Sequence, residues 1–320
     1  MSDNPPEQIK SNGVQLLDIS EEYAGQRVDN FLLRHLKGVP RSRIYRILRK
    51  GEVRLNSKRV KPDTRLQAGD RLRIPPVRTS EKQHDRNYKL ELILAKTILY
   101  ESKLMLIINK PPGYAVHGGS GISTGIIESL RYARPEDKHL ELVHRLDRGT
   151  SGCLMIAKKR AYLKLLQEEL KLKTRLRKTY QVVVHGSWPK RKLQVSAPIM
   201  RNMRKSGERV SRVMHGGKDS LTEYRLVGSG EHLSALQASP VTGRTHQIRV
   251  HCRHVGYPVV GDERYGFEEP DRVLAQKGLS RMMLHASRLD IPAMEGHPAV
   301  QADAPLDEEM EQLWNEIISI

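Results

Sequence analysis

Residues 144–152 read His-Arg-Leu-Asp-Arg-Gly-Thr-Ser-Gly, and the apolar run Cys153–Ala157 follows them directly. Gly, Thr and Ser favour a turn, and the apolar run is typical of a buried strand, so Asp147 is predicted to lie on a loop before that strand. The arginines on either side of Asp147 favour its ionised form. From these residues alone, a structural salt bridge at a turn is the better explanation. A nucleophile, a base or an electrostatic stabiliser is the alternative.

The segments outside this stretch mix strand and helix patterns. Strands and helices do not alternate regularly, as they would in βαβ units with a parallel sheet. Residues 90–320 are therefore predicted to form one α+β domain with a mixed, largely antiparallel sheet. The periodicity predicts strands over Leu104–Asn109 and Thr179–His185, a helix over Tyr162–Leu170, and a second helix from a cap at Thr245 to about Val255.

The N-terminal part of the chain is predicted to be a separate, small α/β unit. Amphipathic periods predict helices over Val28–Leu36 and Ile44–Leu48, and short extended stretches follow them. The second helix carries basic residues that cannot all face the core, so we expect a basic face made of Arg41, Arg43, Arg46, Arg49 and Lys50. The sequence therefore divides into a flexible leader (1–17), a small domain (18–78), a linker (79–89) and a larger domain (90–320).

Positive charge is concentrated in a few segments of the chain. The 55 Lys and Arg exceed the 37 Asp and Glu, which gives a net charge of +18. Residues 18–78 carry a net +9, residues 190–218 a net +8, and residues 171–178 five basic side chains with no acid. Such clustering favours a polyanionic partner through counterion release, so nucleic acid is the first expectation.

The composition argues against several classes of protein. No apolar stretch approaches the roughly 20 residues of a transmembrane helix, and the N-terminus has no apolar signal core. The only cysteines are Cys153 and Cys252, so a reducing cytoplasm is expected rather than a disulfide framework. The glycine-rich residues 118–121 lack the Gly-Lys-Ser/Thr of a phosphate-binding loop. His246, His251, Cys252 and His254 lack metal-ligand spacing, so neither metal nor cofactor is expected.

Two further segments could carry chemistry. Tyr180 lies on the apolar face of its predicted strand, where an ordinary core tyrosine is the usual explanation and a ring that stacks on a base is the alternative. Residues 242–251 place Arg249 on one helix face with His246 and Arg253. That face is either solvated, or it directs Arg249 towards a carboxylate, for which Asp147 is the obvious candidate.

Taken together, the motifs resemble the RluA family of pseudouridine synthases. His144–Gly152 is similar to the family signature, and four further blocks occur in the family's order. Residues 18–75 resemble an S4 RNA-binding domain. The further blocks are Asn109–Gly113 with Val116-His117, Lys178-x-Tyr180, Thr242–His251 with Gly261-Asp262 and Tyr265-Gly266, and Leu284-His285-Ala286.

The resemblance implies roles for the residues of these blocks. Asp147 is the expected catalytic aspartate and acts at the ribose C1′ of the target uridine. Tyr180 is expected to stack on the uracil and is a candidate base, and Arg249 is expected to pair with Asp147. The expected substrate-binding residues are Ile248 against the base, Arg145 in the space that the extruded nucleotide leaves, and His144, Lys178 and Arg244 from the same blocks.

The function that the resemblance implies is isomerisation of specific uridines to pseudouridine in 23S rRNA after base flipping. Residues 36–40 and 117–121 are most similar to a family member that acts on large-subunit RNA. The expected partner is 23S rRNA or an assembly intermediate of the large subunit, with the protein acting as a cytoplasmic monomer away from membranes. The alternative is a non-catalytic RNA-binding or ribosome-assembly protein that retains the fold. A metal-dependent nuclease or deaminase requires ligands that the sequence does not show.

Overall fold

The computed structural model of the chain describes residues 13–36, 39–77, 86–119, 124–172, 175–203, 209–276, 278–294 and 296–319. Contacts within the chain divide it into two compact units, Met1–His84 and Asp85–Ile320. Each unit has a hydrophobic core cluster of its own. Among the described residues, no helix combines the length and the apolar composition needed to cross a membrane.

The smaller unit combines two helices with a four-stranded antiparallel sheet of order β1-β4-β2-β3. Both helices bury one apolar face in the core, as their periodicity predicts. On α2 the opposite face carries the basic residues: Arg41, Arg46, Arg49 and Lys50 are exposed, and Arg43 is half-buried. The elements are β1 (Gln15–Asp18), α1 (Val28–His35), α2 (Arg41–Arg49), β2 (Arg54–Leu55), β3 (Lys58–Arg59) and β4 (Arg71–Ile74), with a 3-10 turn at Glu21–Tyr23.

Two predicted boundaries need correction. Most of the expected leader (1–17) and of the expected linker (79–89) lies outside the described residues. Strand β1 nevertheless begins at Gln15, inside the leader, because it pairs with β4, a partner more than 50 residues away that composition does not reveal. A helix begins at Tyr88, inside the linker, where the side chain of Asn87 accepts the amide of Leu90 and caps it.

The larger unit is built on one sheet of ten strands, and the expected α+β class with a mixed, largely antiparallel sheet is confirmed. Eight strands follow the order β10-β13-β14-β9-β15-β8-β6-β5, with β16 beside β15 and β7 beside β8, while β11 and β12 form a separate hairpin. Within the described residues, every strand pair is antiparallel except β8 with β15. The strands are β5 (Ile98–Glu101), β6 (Met105–Lys110), β7 (Glu141–Leu142), β8 (Ser151–Ala157), β9 (Arg177–His185), β10 (Gln194–Ser196), β11 (Ile199–Met203), β12 (Arg209–Val213), β13 (Leu221–Ser229), β14 (Leu233–Pro240), β15 (Leu284–Ile291) and β16 (Val300–Asp303).

The sheet is covered on both faces. Along β9, Tyr180, Val182 and Val184 belong to the main core, and Val183 belongs to a smaller cluster on the other face. The C-terminal helix α8 closes that second face with Met310 and other apolar residues. The helices are α3 (Tyr88–Ala95), α4 (Ile126–Ala133), α5 (Arg160–Leu172), α6 (Gln247–His254), α7 (Glu268–Gln276) and α8 (Glu308–Ile318).

A close backbone approach joins the centre of the sheet to the loop that carries Asp147. Gly152, the second residue of β8, has φ +103° and pairs with Ala286 of β15. A Cβ at this position would lie 2.3 Å from the carbonyl oxygen of Ala286. Only glycine therefore permits the parallel pairing that places the end of the Asp147 loop against β15.

Candidate active site

Asp147 lies on the loop between β7 and β8 and lines an open groove of about 1210 Å³. Its side chain is 27% exposed, and its Oδ2 accepts a hydrogen bond of 2.8 Å from Nη1 of Arg249. Of the flanking arginines, Arg148 donates to the carbonyl of Gly113, while Arg145 is exposed and lines the same groove. The hydrogen-bonded counter-charge of Asp147 comes from Arg249 on α6, 102 residues further along the chain.

Arg249 is held between two carboxylates. Its Nε and Nη2 each donate to Asp262 at 2.7 Å, while Nη1 serves Asp147. Burial opposes the charged form of Arg249, but the hydrogen bonds and the charges of the two carboxylates outweigh that effect, so its pKa is raised above its ordinary value. The guanidinium is therefore a permanent cation in a fixed orientation, and the nitrogen that Asp262 does not bind, Nη1, donates to Asp147.

The loop after Gly261 holds Asp262 in place. Asp262 is 2% exposed, and its Oδ1 accepts the backbone N–H groups of Arg264 and Tyr265 at 3.0 and 3.1 Å. The ring of Tyr265 also lies 5.0 Å from the Arg249 guanidinium, within cation–π range. Asp262 therefore fixes the orientation of Arg249 and, through it, that of Asp147.

Helix α6 begins later than its sequence predicts. Thr245 is not its cap: the helix starts at Gln247, and the preceding residue, His246, adopts a left-handed conformation with φ 56°. The side chain of Gln247 instead holds the turn before the helix, because its Oε1 accepts the hydroxyl of Thr242 at 2.6 Å and the amide of Arg244 at 3.0 Å. This turn directs both His246 and Arg249 towards Asp147.

Tyr180 lines the same groove from β9 and is almost fully buried. Burial raises the pKa of its hydroxyl well above the ordinary value, and the negative charge of Asp147 raises it further. The phenol is therefore neutral near pH 7. Its ring offers a flat apolar surface beside the carboxylate rather than a ready phenolate base.

Lys110, at the end of β6, lies beneath the Asp147 loop with its side chain wholly buried. Its ammonium donates to the carbonyls of Pro111, Tyr114 and Arg148 at 2.8, 2.8 and 3.1 Å. Burial, aided by the positive charge of Arg281 and opposed by the negative charge of Asp147, lowers the pKa of Lys110 to about 7. The three hydrogen bonds tie the residue that follows Asp147 to the turn after β6.

Replacing Lys110 by methionine is expected to lower the free energy of unfolding by about 2 kcal/mol at pH 7, because buried carbonyls lose their donor. The difference should widen above pH 7. The pKa of the folded state, about 7, lies below the ordinary value of 10.5, so unfolding takes up a proton between these values and the wild type gains stability as pH rises. Urea unfolding at several pH values measures both effects.

The control is Lys103→Met, at an exposed position two residues before β6 begins. It should leave the unfolding free energy within about 0.5 kcal/mol of wild type, as surface substitutions usually do. A Lys110→Met protein as stable as this control would show that the buried ammonium does not hold the loop.

The groove also contains the other residues that the sequence predicts for substrate binding. Ile248, Lys178, Arg244, His144 and Arg145 all line it. Burial lowers the pKa of His144 to about 3, so this ring is neutral. Its Nε2 accepts the backbone amide of Met155 at 3.1 Å, which gives the ring a structural role. Burial also lowers the pKa of Lys178, and Nε of Arg244 donates to the carbonyl of Asp219. Arg145 alone among the five is exposed.

The basic face of α2 belongs to the smaller unit, so Arg41, Arg43, Arg46, Arg49 and Lys50 are not part of the groove lining. Within the larger unit, the groove has its own basic residues in Lys171, Arg177 and Arg201. In the part of the chain that the structure describes, no three His, Cys, Asp or Glu side chains are grouped so that they could hold a metal ion.

Several site residues have no role assigned from the sequence. Asp262, Tyr265 and Lys110 occur in motif blocks of the chain, but nothing in their spacing indicates that they contact Arg249 or the Asp147 loop. Asp262 is the clearest case, because a carboxylate 13 residues after Arg249 on a separate turn can meet it only once α6 and that turn are packed together. A glycine directly before it was the single local signal, since Gly261 has φ +71°.

The chain is similar to known proteins over nearly its full length. A model for RNA pseudouridylate synthase matches residues 104–254, and an S4 domain model matches residues 26–72. A protein of Yersinia pestis named ribosomal large subunit pseudouridine synthase C is 50% identical over 307 residues, covering 94% of this chain and 96% of that protein. The protein of the same name from Pasteurella multocida (strain Pm70) is 48% identical over 316 residues, covering 98% of this chain and 97% of its own length.

Solved structures agree with these sequence matches. Human RNA Pseudouridylate Synthase Domain Containing 1 matches with a TM-score of 0.54 and 29% identity, covering 66% of this chain and 83% of that one. Human RNA Pseudouridylate Synthase Domain Containing 4 matches with a TM-score of 0.58 at 24% identity, covering 72% of this chain and 96% of that one, which supports the fold.

Proposed function

The chain belongs to the RNA pseudouridylate synthase family, and from this we propose that it converts specific uridines of 23S rRNA, in the large ribosomal subunit, to pseudouridine. The observation that carries the proposal is the Asp147–Arg249–Asp262 cluster in a groove that Tyr180 and Ile248 also line. Two features support a polymeric anion as substrate. The groove is open to solvent rather than enclosed, and basic side chains line it.

The reaction is an isomerisation within one nucleotide. The bond between C1′ and N1 of the uracil breaks, a bond between C1′ and C5 forms, C5 loses a proton and N1 gains one, so no second substrate is consumed. We assign Asp147 to act at the ribose C1′. Arg249 holds this carboxylate through one oxygen in a fixed direction, because the other two nitrogens of the guanidinium are bound to Asp262. We assign the ring of Tyr180 and the side chain of Ile248 to hold the uracil.

The target base must leave its stack before C1′ can reach a carboxylate inside the groove, which costs a few kcal/mol. We assign Arg145 to the space that the base vacates, since it is exposed, lines the groove and lies two residues before Asp147. Contacts from Lys178, Arg244 and the basic residues of the groove with phosphates offset the cost of extrusion. We propose that the protein acts as a monomer. Because ribosomal RNA is the proposed substrate, we place the activity in the cytoplasm.

The test of this function is release of tritium from 23S rRNA that carries tritium at uridine C5. Forming the bond between C5 and C1′ displaces the C5 hydrogen, so wild-type protein should release label in proportion to the uridines modified. Naked rRNA and immature large subunits are compared as substrates. Tight RNA binding with no release from either substrate would instead support a non-catalytic RNA-binding protein.

We propose that the smaller unit binds RNA through the basic face of α2. Replacing Arg46 and Arg49 by glutamine should weaken binding to all RNAs alike and lower the slope of log affinity against log salt by about two, about one for each phosphate that is no longer neutralised. Filter binding at several salt concentrations measures the slope. Arg272→Gln, an exposed position on the acidic helix α7, should leave the slope unchanged. An equal slope in the double variant would show that α2 does not dock the RNA.

A further inference from the structure

His246 faces the carboxylate oxygen that Arg249 leaves free. Its Nε2 lies 3.7 Å from Oδ1 of Asp147, whereas Arg249 binds Oδ2. The two oxygens therefore face two side chains from the same segment, one just before α6 and one in its first turn. The left-handed backbone of His246 is uncommon for a residue with a Cβ and is typical of functional sites.

Tyr265 fixes the imidazole ring from the other side. Its hydroxyl lies 2.8 Å from Nδ1 of His246 and accepts the backbone N–H of Ser211 at 3.1 Å. Because the phenolic oxygen already accepts that amide, its own proton is available for Nδ1. This arrangement favours the tautomer with the hydrogen on Nε2, which directs an N–H at Asp147.

Burial keeps the ring of His246 neutral against the attraction of the nearby carboxylates. Burial lowers its pKa below the ordinary 6.5. Asp147 and Asp262 act in the opposite direction and raise the pKa, while Arg249 and Arg264 lower it. The net result is a lowered pKa, so the ring carries no charge near pH 7.

We propose that His246 is a positioning residue for Asp147, limiting the movement of Oδ1 through a weak Nε2–H contact while Arg249 binds Oδ2. The inference rests on the proposed function, because the carboxylate being positioned is the one assigned to act on the ribose. A neutral ring makes only a weak contact at Oδ1 and leaves that oxygen available for the reaction. A protonated ring forms an ion pair with Oδ1 and withdraws it, so the enzyme becomes inactive in acid through His246.

The variant that tests this role is His246→Asn. Asparagine tolerates the left-handed backbone and reaches the hydroxyl of Tyr265, but it has no group in the position of Nε2. Turnover by wild type should fall with decreasing pH at a midpoint below 6.5. In the variant, kcat should no longer fall with decreasing pH between about pH 8 and about pH 5. At about pH 8 its kcat should be about tenfold below that of the wild type, with KM unchanged.

Two matched variants complete the kinetic test. His254→Asn, at the exposed end of α6, should keep the wild-type profile. Tyr265→Phe keeps the ring beside Arg249 and removes only the hydroxyl, so kcat should fall several-fold with KM unchanged. This variant replaces His246→Asn in the test if His246→Asn folds poorly. An acid limb of unchanged midpoint in His246→Asn, or full kcat in Tyr265→Phe, would overturn the inference.

A second measurement needs no catalysis. NMR titration of the histidine ring signals in wild type and in Asp147→Asn reports the charge contact directly. Since Asp147 raises the pKa of His246, removing its charge should lower the His246 midpoint. An unchanged midpoint would overturn this inference alone, whereas wild-type protein that binds RNA without releasing tritium would overturn the proposed function on which it rests.

Discussion

Replacing Asp147 by asparagine is expected to lower the single-turnover rate of uridine isomerisation by at least about four orders of magnitude, while the affinity for RNA is retained. Asparagine has nearly the same shape and can still accept a hydrogen bond from Nη1 of Arg249, so the loop should stay in place. What the variant loses is the negative charge and the nucleophilic or basic oxygen. Tritium release under single-turnover conditions measures the rate, and filter binding measures the affinity.

The matched control for this variant is Asp303→Asn, on β16, where the side chain is 59% exposed. It makes the same chemical change in the same unit and should leave the rate within about twofold, because an exposed polar substitution has little effect on structure. Thermal unfolding of both variants checks that the fold survives. A rate for Asp147→Asn within tenfold of wild type would remove Asp147 from the chemistry.

Replacing Asp262 by asparagine is expected to lower the free energy of unfolding by about 3 kcal/mol, because the variant leaves a buried guanidinium without one of its two counter-charges. The NH2 group of the asparagine also faces an N–H group of Arg249, so two hydrogen-bond donors meet without an acceptor. The single-turnover rate should fall by about 10²-fold, because the guanidinium loses its fixed orientation and Asp147 becomes its only carboxylate partner. Urea unfolding and single-turnover tritium release measure the two effects.

Glu263→Gln is the control for Asp262→Asn, since it lies next in the sequence and is exposed. Its unfolding free energy and rate should both match the wild type. The two readouts also separate two explanations. A destabilised Asp262→Asn with an unchanged rate would make the residue purely structural, and unchanged stability would contradict the buried pair itself.

The elements that rest on local pattern could be predicted from the sequence. Cys153–Ala157 is apolar because β8 is buried throughout, and the turn residues before it place Asp147 on a loop. The face of α2 opposite Ile44 and Ile47 is basic for the same reason that those residues are apolar, since a helix with 3.6 residues per turn separates its faces. The C-terminal residues 290–320 could not be placed in this way, because β16 and α8 are defined by packing on distant strands.

The sequence by itself determined the fold class, the basic surfaces and the identity of the residues that the groove displays. Only the tertiary structure decided how those residues are held. Arg249 meets Asp262, Lys110 reaches the carbonyl of Arg148, and His246 faces Asp147 through contacts across turns and strands far apart in the chain. The physical reason is that the spacing of apolar residues indicates which face of a helix or strand is buried. The partner of a buried charge depends instead on sheet pairing and turn conformation, and these are determined by contacts between distant segments.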